Sequence, residues 1–138
     1  MKKEYQLELF EIDQLVDDVL AEFTNGVIIL RGDLAAGKTT LVKAFAKKLG
    51  CTDAVTSPTF SLQQCYGEDI YHYDIYNHGL EHFIALGMLE ELDKEGLHFI
   101  EWGDDALVEL LDSVGIDVMV IDIAKISDKA REYKVCIH

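Results

Sequence analysis

The octet Gly32-Asp33-Leu34-Ala35-Ala36-Gly37-Lys38-Thr39 constrains this chain more than any other stretch. It fits G-x-x-x-x-G-K-[ST], the P-loop or Walker A pattern, and each fixed position answers a physical need. The glycines let the backbone bend, so that successive N–H groups turn inward on an anion. Lys38 brings a mobile positive charge to the β- and γ-phosphates, and Thr39 offers a hydroxyl to Mg²⁺. The flanks agree with this. Val27-Ile28-Ile29-Leu30 is the short apolar run that a buried parallel strand needs. Leu41, Val42, Phe45 and Leu49 then recur at helical spacing, and Gly50 stands where that helix would stop. Strand, loop and helix in that order aim a helix N-terminus at phosphate. The octet reads as a nucleotide site.

A chain of 138 residues is long enough for one domain with a real core, here residues 1–138. Twelve basic against 26 acidic residues leave a net charge of −14. That balance speaks against a large nucleic-acid or anionic-membrane surface. It also makes Mg²⁺ more necessary, because a polyanion must be held against an unfavourable background. The three cysteines, Cys51, Cys65 and Cys136, have no C-x-x-C spacing and suggest neither a disulfide framework nor a zinc knuckle. The start leads into no apolar segment of signal-peptide length, and no run approaches membrane-spanning length. The expectation is a cytoplasmic protein with no membrane partner.

Hydrophobic periodicity organises the rest. Residues 4–9 alternate and predict a strand; Ile12, Leu15, Val16, Val19, Leu20 and Phe23 predict an amphipathic helix, closed by Asn25-Gly26. Thr59 to Tyr66 and Ile70 to Tyr76 predict two strands of a hairpin around Gly67-Glu68-Asp69. A helix over 79–92 with a weak break at Gly87 follows, then a strand at 97–100, a short helix at 105–111, a β-rich run at 116–123 and a final strand around Tyr133, Val135 and Ile137. Together these predict an α/β fold of P-loop NTPase type: a mixed, mostly parallel sheet flanked by helices, with antiparallel hairpin strands.

Three further stretches carry chemistry. The run Leu97-His98-Phe99-Ile100 ends in Glu101, where P-loop proteins place an acidic residue beside Mg²⁺; a solvated strand end is the alternative. Ser57-Pro58-Thr59-Phe60 holds the single proline, and Thr59 is a candidate switch hydroxyl facing the γ-phosphate, with a turn and edge strand as the alternative. In Tyr71-His72-Tyr73-Asp74-Ile75-Tyr76, alternation puts His72, Asp74 and Tyr76 on one face, and Asp74 is a candidate to orient the attacking water; a polar outer face is the alternative. A zinc site from Cys65, His72, His78 and His82 is disfavoured, because no second cysteine pair or H-E-x-x-H completes it.

Absent motifs narrow the substrate. No N/T-K-x-D run for guanine is present, which favours ATP. Only Arg31 and Arg131 are available, too few for the arginine-rich lid of a small-molecule kinase. Arg31 precedes the loop directly, so Arg131 is the candidate to reach nucleotide in cis. Without a supplied arginine finger such a protein hydrolyses slowly. A weak ATPase whose turnover depends on a partner is expected.

In order, the motifs G-D-L-x-A-G-K-T-T, S-P-T-F, H-x-D-x-Y, the helix bearing Glu81, Leu86 and Gly87, and I-E-W resemble the TsaE (YjeE) family of bacterial P-loop ATPases, over nearly the whole chain. The resemblance implies the ATPase component of the machinery that forms N6-threonylcarbamoyladenosine in tRNA. It would be accessory or regulatory to a TsaD–TsaB pair and would meet tRNA only through that complex. By position it implies that Asp33, Leu34, Ala35, Ala36, Gly37, Lys38, Thr39 and Thr40 hold the phosphates of ATP, with Arg131 also on the nucleotide. Thr39 and Glu101 would ligate Mg²⁺, while Lys38, Asp74 and Thr59 serve hydrolysis. Three positions depart from the family pattern: Ala35 and Ala130 stand where glycine is usual, and Asn77 where arginine is usual. None is the lysine, a metal ligand or a hydroxyl. Two other classes stay open: a P-loop small-molecule kinase, and a nucleotide-dependent binding module that needs no hydrolysis.

Overall fold

A computed structural model describes residues 2–33, 36–51, 63–76 and 79–137. Its centre is the strand that the apolar run predicts. Val27, Ile28, Ile29 and Leu30 have no exposed surface, as a strand covered on both faces requires. This strand, β2 (Gly26–Arg31), lies between two parallel neighbours, β5 (Leu97–Glu101) and β6 (Val118–Lys125). Beyond β5 come β4 (Ile70–Asp74), parallel to it, and then β3 (Gln63–Tyr66), antiparallel. Beyond β6 come β7 (Ala130–Ile137) and β1 (Lys2–Glu8), both antiparallel to their neighbours. The order is β1-β7-β6-β2-β5-β4-β3.

The α/β class therefore holds, and the fold is a mixed sheet between helices. "Mostly parallel" describes only its centre, since three of six pairings among the described residues are parallel. The reason is connection length. A parallel neighbour needs a crossover, whereas the short links between β3 and β4 and between β6 and β7 permit only hairpins.

Side-chain alternation along β2 sends Ile28 and Leu30 to one face and Val27 and Ile29 to the other. The first face is covered by α1 (Ile12–Glu22) and α2 (Lys38–Lys48), whose Leu15, Val16, Val19, Leu41, Val42 and Phe45 are buried. The second is covered by α3 (Gly79–Ala85), α4 (Met88–Glu91) and α5 (Asp105–Ser113) through Phe83, Leu107 and Leu111, with Leu92 just after α4. Asp104 caps α5 by accepting the Leu107 N–H at 3.0 Å.

Most boundaries differ from the sequence expectation by one to two residues. Gly26, expected to close α1, instead opens β2 with φ +128°, and a Cβ there would meet the Asp117 carbonyl oxygen at 2.7 Å. The weak break at Gly87 is a real interruption, left-handed at φ 75°, that separates α3 from α4. Of the strand expected from Thr59, only Gln63 onward lies within the described residues. No helix of the described residues is long and apolar enough to cross a membrane.

Under α3 and α4, His98 completes a buried polar chain. Gln63 Nε2 donates to Tyr73 Oη at 3.0 Å, Tyr73 Oη pairs with His98 Nδ1 at 2.8 Å, and His98 Nε2 meets the Lys94 carbonyl at 2.8 Å. A neutral imidazole fits every bond: Nδ1 accepts and Nε2–H donates. Burial pushes the His98 pKa below its ordinary 6.5, although the backbone bond to Lys94 and the Glu91 carboxylate pull it back. The unfolded chain therefore binds this proton first as pH falls. The stabilisation is complete above about pH 6.5 and is lost as pH drops through the folded-state value. Thermal unfolding should show the parent losing more stability between pH 7.5 and 5.5 than His98→Phe; parallel curves would clear His98 of the effect.

Candidate nucleotide site

Parallel strands β2, β5 and β4 end together, and the site lies at their C-terminal edge, where open α/β sheets bind ligands. The turn after β2 begins at Gly32, whose φ of +151° and closeness to the Ile123 carbonyl, 2.5 Å from any added Cβ, admit glycine alone. Ala36 N–H donates to the Asp33 carbonyl at 2.9 Å. Gly37 follows at φ 105° as the N-cap of α2. Lys38, Thr39 and Thr40 are then the first residues of α2, whose amides have no carbonyl of a preceding turn to meet. Together with the helix dipole they make a terminus whose charge and donors suit an anion.

Lys38 is only 3% exposed. Its Nζ donates to the carbonyls of Gly32 and Asp33, each at 2.7 Å, and lies 3.9 Å from the centre of the Trp102 ring. Burial lowers its pKa, while the carboxylates of Glu101, Asp74 and Asp33 pull the other way. Trp102 holds this position at φ 73°, a left-handed conformation costly for a non-glycine residue. Its N–H donates to the Leu30 carbonyl at 3.0 Å, and Tyr76 packs against its ring at 4.5 Å.

Glu101 ends β5 with 3% exposure and is not a solvated strand end. The Thr39 hydroxyl donates to its Oε2 at 2.9 Å, across 62 residues of sequence. Asp74 is Glu101's register partner on β4, and its Oδ1 accepts the Tyr76 N–H at 2.9 Å. The structure thus brings together Asp33, Ala36, Gly37, Lys38, Thr39, Thr40, Asp74 and Glu101. Arg131 joins them from β7: its Nε donates to the Ala36 carbonyl at 3.1 Å. Its Nη1 also donates to the carbonyls of Ser127 and Ala130, both at 3.1 Å, and the side chain lines the cleft beside the loop. Arg31 is held by the segment after β5, donating from Nε to the Gly103 carbonyl at 2.7 Å and pairing with Asp105 at 3.0 Å. Leu34, Ala35, Thr59, Asn77 and His78 lie outside the described residues.

Thr39 and Glu101 present hard oxygen donors in contact with each other. That set suits Mg²⁺, which keeps waters and takes few protein ligands. Among the described residues, no group of three or more His, Cys, Asp or Glu is placed to hold a metal. His72 is fully buried and paired with Glu101. A cleft of about 720 Å³ opens beside the loop, lined by Leu9, Phe10, Gly37, Thr40, Lys129 and Tyr133 among others. Its apolar wall comes from Leu9 and Phe10, exposed at 64% and 80%.

Local pattern missed three of these features. The adjacency of Trp102 to Glu101 was the sole sign of the ring over Lys38. Alternation put His72 on a face but could not tell a buried face from an outer one. Alternation assigned Leu9 to the first strand and gave Phe10 no role, whereas both lie in the turn Leu9–Glu11 between β1 and α1 and line the cleft.

Comparison with known proteins agrees over most of the chain. The family model described as "Threonylcarbamoyl adenosine biosynthesis protein TsaE" matches residues 7–133. A Treponema pallidum protein named tRNA threonylcarbamoyladenosine biosynthesis protein TsaE is 38% identical over 114 residues, 80% of this chain and 82% of that protein. Its namesake in Aquifex aeolicus is 42% identical over 106 residues, 67% of this chain and 80% of that one. Another, from Bacillus subtilis, is 42% identical but aligns over 55% of this chain and 49% of its own length. The crystal structure of Bacillus subtilis YdiB superposes with a TM-score of 0.72 at 26% identity, covering 98% of this chain and 84% of that one.

Proposed function

Because this chain belongs to the TsaE family of threonylcarbamoyl adenosine biosynthesis proteins, we propose that it is a Mg²⁺-dependent ATP-binding protein and weak ATPase. In this reading it acts as an accessory subunit, with TsaD and TsaB proteins, in forming N6-threonylcarbamoyladenosine in tRNA. One observation carries the nucleotide part. Lys38, Thr39, Glu101 and Asp74 converge from three segments on the C-terminal edge of adjacent parallel strands.

Each residue has a role that follows from its surroundings. The α2 N-terminus and its amides receive phosphate oxygens. Lys38, now satisfied by two loop carbonyls, exchanges them for phosphate, a stronger charge-assisted partner. The Thr39 hydroxyl donates a hydrogen bond to Glu101, so its lone pairs remain for a metal. Bound Mg²⁺ supplies charge neutralisation on the phosphates. Asp74, beside Glu101 and near enough to Lys38 to act on its charge, orients water for attack. Arg131 braces the loop at Ala36, and the neighbouring cleft offers an apolar wall to the adenosine half. Slow turnover alone is expected, because neither arginine stands free as a finger. A charge of −14 fits a subunit that works through protein contacts and leaves the grip on tRNA to others.

Mg-ATP turnover by this chain alone, then with its TsaD and TsaB counterparts, tests the reading. Slow turnover that rises with the partners is expected. Turnover indifferent to them but rapid with a small acceptor would make it a kinase. Asp74→Ala should keep ATP affinity within about twofold and lower turnover roughly 10²-fold or more. If that variant supported full tRNA modification in reconstitution, hydrolysis would be dispensable and the chain a nucleotide-dependent binding module.

A further inference from the structure

Glu101 Oε2 receives two donors. Thr39 Oγ1 approaches from the loop at 2.9 Å, and His72 Nε2 from inside the sheet at 2.5 Å. His72 has no exposed surface. Its Nδ1 lies 3.0 Å from Tyr66 Oη, and that hydroxyl is 2.7 Å from Gln64 Oε1. A carboxylate only accepts, so the ring proton facing Glu101 sits on Nε2 whether the imidazole is neutral or charged.

The register explains how the ring is aimed. His72 pairs with Phe99 on β5, two residues before Glu101, and with Gln64 on β3. Alternation therefore places His72 and Glu101 on one face of adjacent strands, and Tyr66, two residues from Gln64, completes the row. A buried carboxylate is held where its donors lie, because losing one leaves it undersolvated.

We propose that His72 is a positioning residue for the divalent cation. Through Nε2 it holds the Glu101 carboxylate in the orientation that accepts the Thr39 proton, so that hydroxyl and carboxylate meet the cation already ordered. Tyr66 fixes the ring from behind. Residues that orient a metal-binding carboxylate typically change metal affinity ten- to a hundredfold when removed. The inference rests on the Mg-nucleotide reading above.

The test is binding of mant-ADP followed by anisotropy, in EDTA and across a Mg²⁺ titration, with thermal unfolding of each nucleotide-free variant. His72→Leu should raise the Mg²⁺ midpoint about tenfold and leave the EDTA affinity within about twofold of the parent. His72→Gln, which keeps an N–H near the position of Nε2, should recover most of that loss. Tyr66→Phe removes only the hydroxyl, should shift the midpoint about threefold, and decides the matter if His72→Leu does not fold. A midpoint within twofold of the parent in the folded variant overturns the proposal. So do an equal loss with and without Mg²⁺, and a glutamine variant no better than leucine. A parent chain that binds mant-ADP equally well in EDTA and Mg²⁺ overturns the metal reading itself, and the inference falls with it.

Discussion

Lys38→Ala should weaken ATP binding at least ~100-fold, while the chain unfolds at nearly the parent temperature. Charge-assisted hydrogen bonds contribute about 1.5–3 kcal/mol each, and the ammonium is the cationic group nearest the loop carbonyls of Gly32 and Asp33 among the described contacts. In the nucleotide-free chain it contributes less. Its two carbonyl bonds and the Trp102 contact offset the desolvation that lowers its pKa. Truncation to the Cβ removes three methylenes and the ammonium, which opens room for water to reach the two carbonyls, so stability changes little. Calorimetric titration with Mg-ATP, beside a melting curve, checks both halves. Affinity within tenfold of the parent would mean that the helix terminus and metal hold the phosphates without the lysine.

Phe99→Ala should cost about 3–5 kcal/mol of stability, the usual range for a fully buried aromatic cut to a methyl. Phe99 has no exposed surface, lies on β5 between the parallel strands β2 and β4, and packs against Phe45 of α2 at a centroid distance of 5.1 Å. It stands between Ile28 and His72 in register, so the cavity would lie beneath the site as well as within the core. Urea unfolding measures the loss. Since Phe99 ties the strand that carries Glu101 to the helix that carries Thr39, Mg-dependent nucleotide binding should weaken too. A loss under 1 kcal/mol would show that the surrounding side chains close the gap.

Much of the architecture was legible because it is encoded locally. Four apolar residues in succession at Val27–Leu30 require two covered faces, and β2 proves to have them. The helical spacing of Leu41, Val42 and Phe45 identifies the buried stripe of α2. The antiparallel edges were legible only as hairpins, which is why the parallel share of the sheet was overestimated. Strand neighbours that are distant in sequence, such as β1 and β7, leave no local mark.

The candidate site divides along the same line. Sequence by itself determined the loop, its lysine and threonine, and the presence of carboxylates at strand ends, because the φ values, charges and hydroxyls of a P-loop are properties of consecutive residues. Tertiary structure alone decided the partners. It set Thr39 on Glu101, His72 behind the same oxygen, Trp102 over Lys38, and Arg131 against Ala36 from 95 residues away. Side-chain alternation tells which residues of a strand share a face, but the strand that lies alongside, and in what register, follows from packing of the whole sheet.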